Sequence, residues 1–353
     1  MINVLIVDDS AVTREFLVHV LGSDPGIEVV GTASDGEQAL EAVARTRPDV
    51  ITMDIHMPRV DGLEATRRIM ETHPTPIVIV SGSTNPHEVA TTFRAMEAGA
   101  LAVLRRPAGI GHPDHEATAR ELVQTVKLMS EVRVVRRWPR LRPGASATTS
   151  REPQLARDAK TVRVVAIGAS TGGPPVLHTI LAGLPKDFPV PVLIVQHMAA
   201  GFADGFTEWL GQSSGLPVHV ATNGESILPG HVYVAPDEFQ MRVKHGGTIV
   251  LGKDEPENGL RPSVSCLFRS LADVYGGEVV AGLLSGMGCD GAAELKILKD
   301  NGAVTFAQDK ESSVVHGMPG EALRLDAVTL VLPPGRIAAT LTSLANRSKQ
   351  GER

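Results

Sequence analysis

The sequence predicts an α/β chain. It should hold an N-terminal doubly wound, five-stranded parallel sheet, a linker, and a second α/β domain with a mainly parallel sheet and inserted β-hairpins. Three observations predict this. Short apolar runs alternate with helix-length stretches from Val4 to about residue 128, the pattern of parallel strands joined by crossover helices. A basic and then small-residue stretch breaks the alternation over residues 129–160. From Thr161 the alternation resumes with VRVVAIGASTGGPPVLHTILAGL, which reads as strand, Gly-rich turn and helix.

In the first domain the strand-like runs are Val4–Val7, Glu28–Ala33, Val50–Met53, Ile77–Val80 and Leu101–Leu104. The helical stretches between and after them cover about Ser10–Leu21, Gly36–Arg45, Gly62–Glu71, Pro86–Ala98 and a last helix from about His115. Glu131–Arg142 is basic and Pro143–Ser150 small and polar, so residues 129–160 read as a flexible, solvated linker. In the second domain, strands are expected at Val162–Ile167, Pro191–Val195, Glu278–Leu284, Val304–Ala307 and Val328–Val331. Helices are expected over Val176–Leu184, Leu267–Ala272, Ala292–Asn301 and Ile337–Leu344. The Gly- and Pro-rich region between, with His231–Pro236, Gln240–Val243 and Thr248–Leu251 around Gly246-Gly247, reads as inserted hairpins. The domains therefore run 1–128 and 161–345, with a disordered tail over 346–353.

Composition excludes several classes. Of 353 residues, 42% are apolar and 21% charged, enough of each for soluble domains with real cores. A formal net charge of −6 argues against nucleic-acid binding. The two cysteines, Cys266 and Cys289, make neither a disulfide framework nor a zinc site. MINVLIVDDS is no signal peptide, and no run approaches the ~20 apolar residues of a membrane span. A cytoplasmic monomer without membrane insertion is expected.

In doubly wound sheets chemistry gathers at the carboxyl ends of the strands. Asp8 and Asp9 close the first strand, Asp54 the third and Ser81 the fourth, and Arg106-Pro107 follow the fifth. Three carboxylates facing one crevice repel unless a hard cation such as Mg²⁺ sits among them. Singly, each aspartate reads equally as a loop residue or helix cap. Val7-Asp8-Asp9-Ser10, Met53–Gly62 and Val80-Ser81-Gly82 together resemble a response-regulator receiver domain. The resemblance implies that Asp54 accepts a phosphoryl group from a histidine kinase, that Asp8 and Asp9 hold Mg²⁺ with it, and that Ser81 is the switch hydroxyl. Arg106 stands where the family usually has lysine, and Val103 where an aromatic switch residue is common.

In the second domain Gly168-Ala169-Ser170-Thr171-Gly172 fits G-x-S-x-G between a strand and a helix, the setting of a nucleophile elbow. The alternative is a βα turn whose serine caps a helix. Ser170, His197 and Asp290 each lie just past a buried-type strand, so a parallel sheet brings them to one rim. There His197 could take the Ser170 proton and Asp290 could fix the tautomer. A rival reading uses Gly286-Met287-Gly288-Cys289-Asp290-Gly291, which fits the dinucleotide fingerprint G-x-G-x-x-G, with Asp309 as its acidic residue.

Further motifs belong with these: Gln196-His197-Met198, Gly230–Pro236, Arg261-Pro262-Ser263-Val264, Ala307-Gln308-Asp309 and Gly317-Met318-Pro319. With the receiver-like half they make the chain similar, over almost its whole length, to the chemotaxis-type protein-glutamate methylesterases. The resemblance implies hydrolysis of glutamate γ-methyl esters on cytoplasmic chemoreceptor helices, with deamidation of glutamines in some members. It implies Ser170 as nucleophile, His197 as base, Asp290 as its orienter, the Met287 N–H as oxyanion donor, and no cofactor in the esterase domain. Departures are Ala199 for proline, Ser285 for threonine and Ser265 for aspartate. Two other functions stay open from the residues: a phosphorylation-controlled adaptor with a silent esterase fold, and a dinucleotide-dependent enzyme using the Gly286–Gly291 loop.

Overall fold

The computed structural model describes residues 1–82, 85–132, 134 and 161–350, and the chain divides into two compact units, 1–150 and 151–353. The basic and small-residue linker lies almost wholly outside the described residues.

In the first unit β1 (Ile2–Val7), β2 (Ile27–Ala33), β3 (Val50–Met53), β4 (Ile77–Ser81) and β5 (Ala102–Arg105) alternate with five helices. These are α1 (Ala11–Gly22), α2 (Gly36–Thr46), α3 (Gly62–Thr72), α4 (Pro86–Ala98) and α5 (His115–Ser130). The sheet order is β2-β1-β3-β4-β5, every pair parallel. The order reverses between β1 and β3. A crevice opens at such a switch point because the connections leave to opposite faces, and Asp8 and Asp54 stand on its two sides. Side-chain caps set several helix starts: Ser10, Asp35, Asp61 and Asn85 each accept from first-turn amides.

The second unit opens with β6 (Val164–Ala169), α6 (Gly173–Gly183), β7 (Val192–Gln196), α7 (Ala203–Ser214), β8 (Val218–Val220) and β9 (Val232–Val234). Next come β10 (Gln240–Lys244), β11 (Thr248–Gly252), α8 (Val264–Tyr275), β12 (Val279–Leu283), α9 (Ala292–Asp300) and β13 (Val304–Gln308). The unit closes with α10 (Met318–Arg324), β14 (Leu330–Leu332) and α11 (Pro334–Gln350). Seven strands form one parallel sheet in the order β14-β13-β12-β6-β7-β9-β8. Strands β6, β7 and β12 are buried along their whole length, which explains why they are apolar throughout but for Gln196 at the end of β7. The sheet again changes direction at its centre, between β6 and β12.

Three local expectations need correction. His231–Pro236 is not part of a hairpin: β9 joins the main sheet, parallel to β7 with Val192 opposite Val232. Among the described residues only β10 and β11 form an inserted hairpin, pinned to α8 where Val243 N–H donates to Ser270 Oγ at 3.0 Å. Helix α7 was hidden by Gly205 and Gly211 and by the small residues on its inner face, yet it buries Phe206, Trp209 and Leu210. Helix α11 runs past Asn346, where the sequence pattern suggests a frayed end, to Gln350. Beneath the sheet, Phe268, Leu271, Met241, Tyr233 and Leu283 belong to one buried cluster that fixes α8 against the strands.

Candidate active site and acidic pocket

Ser170 follows β6 directly. Its N–H donates to Ser285 O at 3.0 Å and its carbonyl accepts from Gly173 N at 2.8 Å, which folds the chain into a tight turn at the start of α6. Gly172 makes that turn possible: its φ is +77°, and an added Cβ would sit 2.7 Å from a Val314 methyl and 2.8 Å from Ser285 Oγ. On the other side Gly286 lets the next loop press against the elbow, since a Cβ there would lie 2.8 Å from Ser170 Cβ. The Ser170 hydroxyl itself makes no hydrogen bond among the described residues and is partly exposed.

His197 leaves the end of β7, one strand away, and its Nε2 lies 2.9 Å from Asp290 Oδ2. The imidazole is 12% exposed and the carboxylate 2%. Asp290 has the densest set of donors in the site. Besides His197, Oδ2 accepts Val264 N–H at 2.6 Å, while Oδ1 accepts Ser263 Oγ–H at 2.8 Å and Ser265 N–H at 3.0 Å. Two of these are first-turn amides of α8, so the carboxylate occupies the positive end of a helix. Burial pushes its pKa up, but the His197 contact and the donors of Ser265 and Val264 outweigh it and hold the group at about 2. An ionised Asp290 requires the His197 proton on Nε2, which leaves Nδ1 as the free lone pair.

The sequence reading missed the groups that hold Asp290. Ser263 N–H donates to Gln240 Oε1 at 2.8 Å, Gln240 Nε2 to Leu260 O at 3.0 Å, and Gly291 N–H to Ser265 Oγ at 2.9 Å. A serine before an apolar helical pattern signals a cap, but nothing local tells that this helix end faces a carboxylate 26 residues on. The departure at Ser265 thus has a place: its hydroxyl steadies the loop that carries Asp290.

Met287 is 58% exposed, and its N–H has no partner among the described residues. The loop beneath it is anchored, because Gly286 N–H donates to Val315 O at 3.0 Å and Gly286 O accepts Gly317 N and Met318 N at 3.1 and 2.9 Å. This packing counts against the dinucleotide reading. A Cβ on Gly317 would lie 2.7 Å from Gly286 O and 2.9 Å from Gly288 N, so protein fills the inner side of the loop where a pyrophosphate would lie. Asp309 accepts from Ser312 Oγ in its own loop. Cys289 is exposed on this loop and Cys266 is buried, with its thiol pKa pushed up by burial.

In the first unit Asp8, Asp9 and Asp54 bring carboxylate oxygens within 4.8 Å of one another. Asp8 and Asp54 are buried and Asp9 is exposed. Burial, and then the Asp8 charge, push Asp54 up to about 6, against the opposing pull of the Ile55 amide and Arg106. Crowded, partly desolvated oxygens of this kind suit a hard divalent cation. Arg106 reaches Asp8, with Nη2 3.1 Å from Oδ2, while its Nε is buried without a partner. Ser81 is buried at the end of β4, its carbonyl accepting Arg106 N–H at 2.8 Å. Val103 is half-buried on β5.

Asp290 also gives a pH signature. Its folded pKa of about 2 lies below the ordinary carboxylate value of 3.8, so its stabilisation is complete above about pH 4. That contribution, roughly 2 kcal/mol, should disappear as pH falls from about 4 through about 2. Urea unfolding monitored by tryptophan fluorescence should show this slope in the native chain and lack it in Asp290→Asn. Equal slopes would mean that Asp290 is not held ionised by its donors.

Both units match families of known proteins. The family model described as CheB methylesterase matches residues 165–341, and that of the response regulator receiver domain matches residues 4–112. A protein of Nitrosospira multiformis named protein-glutamate methylesterase/protein-glutamine glutaminase is 64% identical over 100% of this chain and 99% of its own length. A relative of the same name, numbered 4, from Geobacter metallireducens is 62% identical over 98% and 99%. The crystal structure of the Thermotoga maritima CheB methylesterase catalytic domain aligns over 52% of this chain and 100% of its own, at 37% identity and a TM-score of 0.51.

Proposed function

Because this chain belongs to the CheB methylesterase family, we propose that it hydrolyses glutamate γ-methyl esters on the cytoplasmic helices of a chemoreceptor, under control of an N-terminal receiver domain. The observation that carries the reading is the His197–Asp290 pair at the carboxyl rim of the sheet, beside an elbow that presents Ser170. His197 Nδ1 takes the Ser170 proton as Oγ attacks the ester carbonyl. The Met287 N–H faces the oxyanion of the tetrahedral intermediate. Collapse expels methanol, which takes its proton from the imidazolium and leaves a glutamyl ester on Ser170. Water, deprotonated by His197, then attacks that ester, and glutamate leaves as Ser170 regains its proton. A glutamine side chain follows the same course with ammonia as leaving group, which accounts for a deamidase activity. Asp290 stays ionised throughout and stabilises the imidazolium.

In the receiver, Asp54 is the phosphoryl acceptor, with a histidine kinase as donor. Asp8, Asp9 and Asp54 would hold Mg²⁺, which when bound neutralises charge on the phosphoryl group. Ser81 and Arg106 form the switch. The domains of this reading are a receiver over 1–128, a linker over 129–160 and a catalytic domain from 161 that closes with α11. The protein works as a cytoplasmic monomer, and no helix among the described residues is long and apolar enough to cross a membrane.

The test follows methanol release and receptor mass when the purified chain meets a methylated receptor fragment, with and without a small phosphodonor and Mg²⁺. Phosphorylation without hydrolysis would leave an adaptor with a silent esterase fold. Arg106 supplies a second measurement. Its planar guanidinium is paired to Asp8 and would lie 3.1 Å from a Cβ placed on Gly82, so it holds the charge of the usual lysine without its small compass. Asp54 should still be phosphorylated, but esterase activation by phosphodonor should be smaller than in Arg106→Lys. A larger activation ratio in the native chain would show that arginine is a full substitute.

A further inference from the structure

The hydrogen-bond ladder between β6 and β7 ends where the proposed chemistry begins. Its last rung is His197 N–H on the Ala169 carbonyl, at 2.9 Å. Beyond it the two chains part: Ser170 turns toward α6, and His197 leads into the loop before α7. No backbone hydrogen bond joins Ser170 to His197. Their backbones are joined by the side chain of Gln196, 3% exposed at the end of β7. Its Nε2 donates to Ser170 O at 2.9 Å and to His197 O at 2.8 Å.

One amide nitrogen thus ties the residue that bears the hydroxyl to the residue that bears the imidazole. The carboxamide cannot be turned over, because its oxygen would then face two carbonyl oxygens. In the orientation it holds, Oε1 is buried without a partner. That oxygen abuts Gly173, where an added Cβ would lie 2.6 Å from it. A buried unpaired acceptor is destabilising, and a methionine would fill much the same volume without one. What offsets that penalty is the pair of donated bonds.

We infer that Gln196 is a positioning residue for the proposed hydrolysis: by holding two backbone carbonyls on one nitrogen, it sets the spacing between Ser170 Oγ and the His197 ring. The inference rests on the serine-hydrolase reading above. Gln196 itself acts through the backbone and meets no reacting atom. Its loss should therefore spare substrate binding and slow the proton transfer, and a displacement near 1 Å can cost about 10²-fold.

The test measures kcat and KM for methanol release by the full chain, with Mg²⁺, a small phosphodonor and a methylated receptor fragment. Gln196→Met keeps the volume and removes both donors. It should lower kcat by about 10²-fold at unchanged KM and melting temperature. Gln196→Asn keeps a carboxamide one methylene shorter, which reaches one carbonyl but not both, and should recover part of the loss. If Gln196→Met does not fold, the asparagine variant decides alone, by a several-fold fall in kcat at unchanged KM. A folded variant with native kcat overturns the inference, as does a loss that appears in KM or tracks melting temperature. Ser170→Ala serves as control: native turnover there overturns the serine reading instead, a result distinct from any Gln196 outcome.

Discussion

Ser170→Ala should leave a folded chain whose ester hydrolysis is slower by about 10⁴–10⁶-fold in kcat. The elbow does not depend on the hydroxyl. It is held by the Ser170 amide on Ser285 O and by the Ser170 carbonyl, which accepts Gly173 N and Gln196 Nε2. Removing Oγ therefore breaks no hydrogen bond and orphans no partner, so melting temperature should hardly move. His197→Ala should cost a similar factor, because members of such a unit fail together. It also strips Asp290 of one donor. Methanol release from methylated receptor, measured beside melting temperature, checks both. Near-native turnover in Ser170→Ala would end the serine mechanism and turn attention to exposed Cys289, on the loop that packs against the elbow.

Asp290→Asn should damage the site in two measurable ways. Activity should fall by about 10³–10⁴-fold, since an amide in place of the carboxylate no longer requires the His197 proton on Nε2. The free lone pair can then move away from the atom that must take the serine proton. Stability should fall by roughly 2–3 kcal/mol, because hydrogen bonds to a charged acceptor are lost or inverted. Four donors converge on this carboxylate, and a carboxamide in its place has only one oxygen with which to accept them. Kinetics and urea unfolding on one preparation separate the effects. A stable variant with little loss of rate would mean that Asp290 serves only to cap α8.

Much of this was legible from residues alone, for identifiable reasons. Parallel strands buried on both faces are almost wholly apolar, so β1, β3, β6, β7 and β12 could be placed to within two residues at either end. Strand ends followed, and with them Asp8, Asp54, Ser170, His197 and Asp290 on the carboxyl rims. Elements whose burial is made by small or glycine-rich faces did not announce themselves. Helix α7 buries Ala203 and Gly205 beside Phe206, and α10 carries Pro319 and Gly320 in seven residues. Strand β9 was identified, but its partner was not. Pairing depends on which neighbour the chain meets in space, and its sequential neighbour β10 lies in a separate hairpin.

Fold class, the two α/β units, the rim residues and the resemblance to the family could all be read along the chain. Each depends on local periodicity or on short motifs at strand ends, and neighbouring residues carry that information. How the rim residues are held could not be read that way. The choice of Nε2 for Asp290, the α8 amides and Ser263 beneath that carboxylate, the pairing of Arg106 with Asp8, and the Gln196 bridge are all contacts between distant segments. Hydrogen bonds are short-ranged and directional. Such contacts exist only once packing has brought their partners within about 3 Å, which no spacing along the sequence specifies.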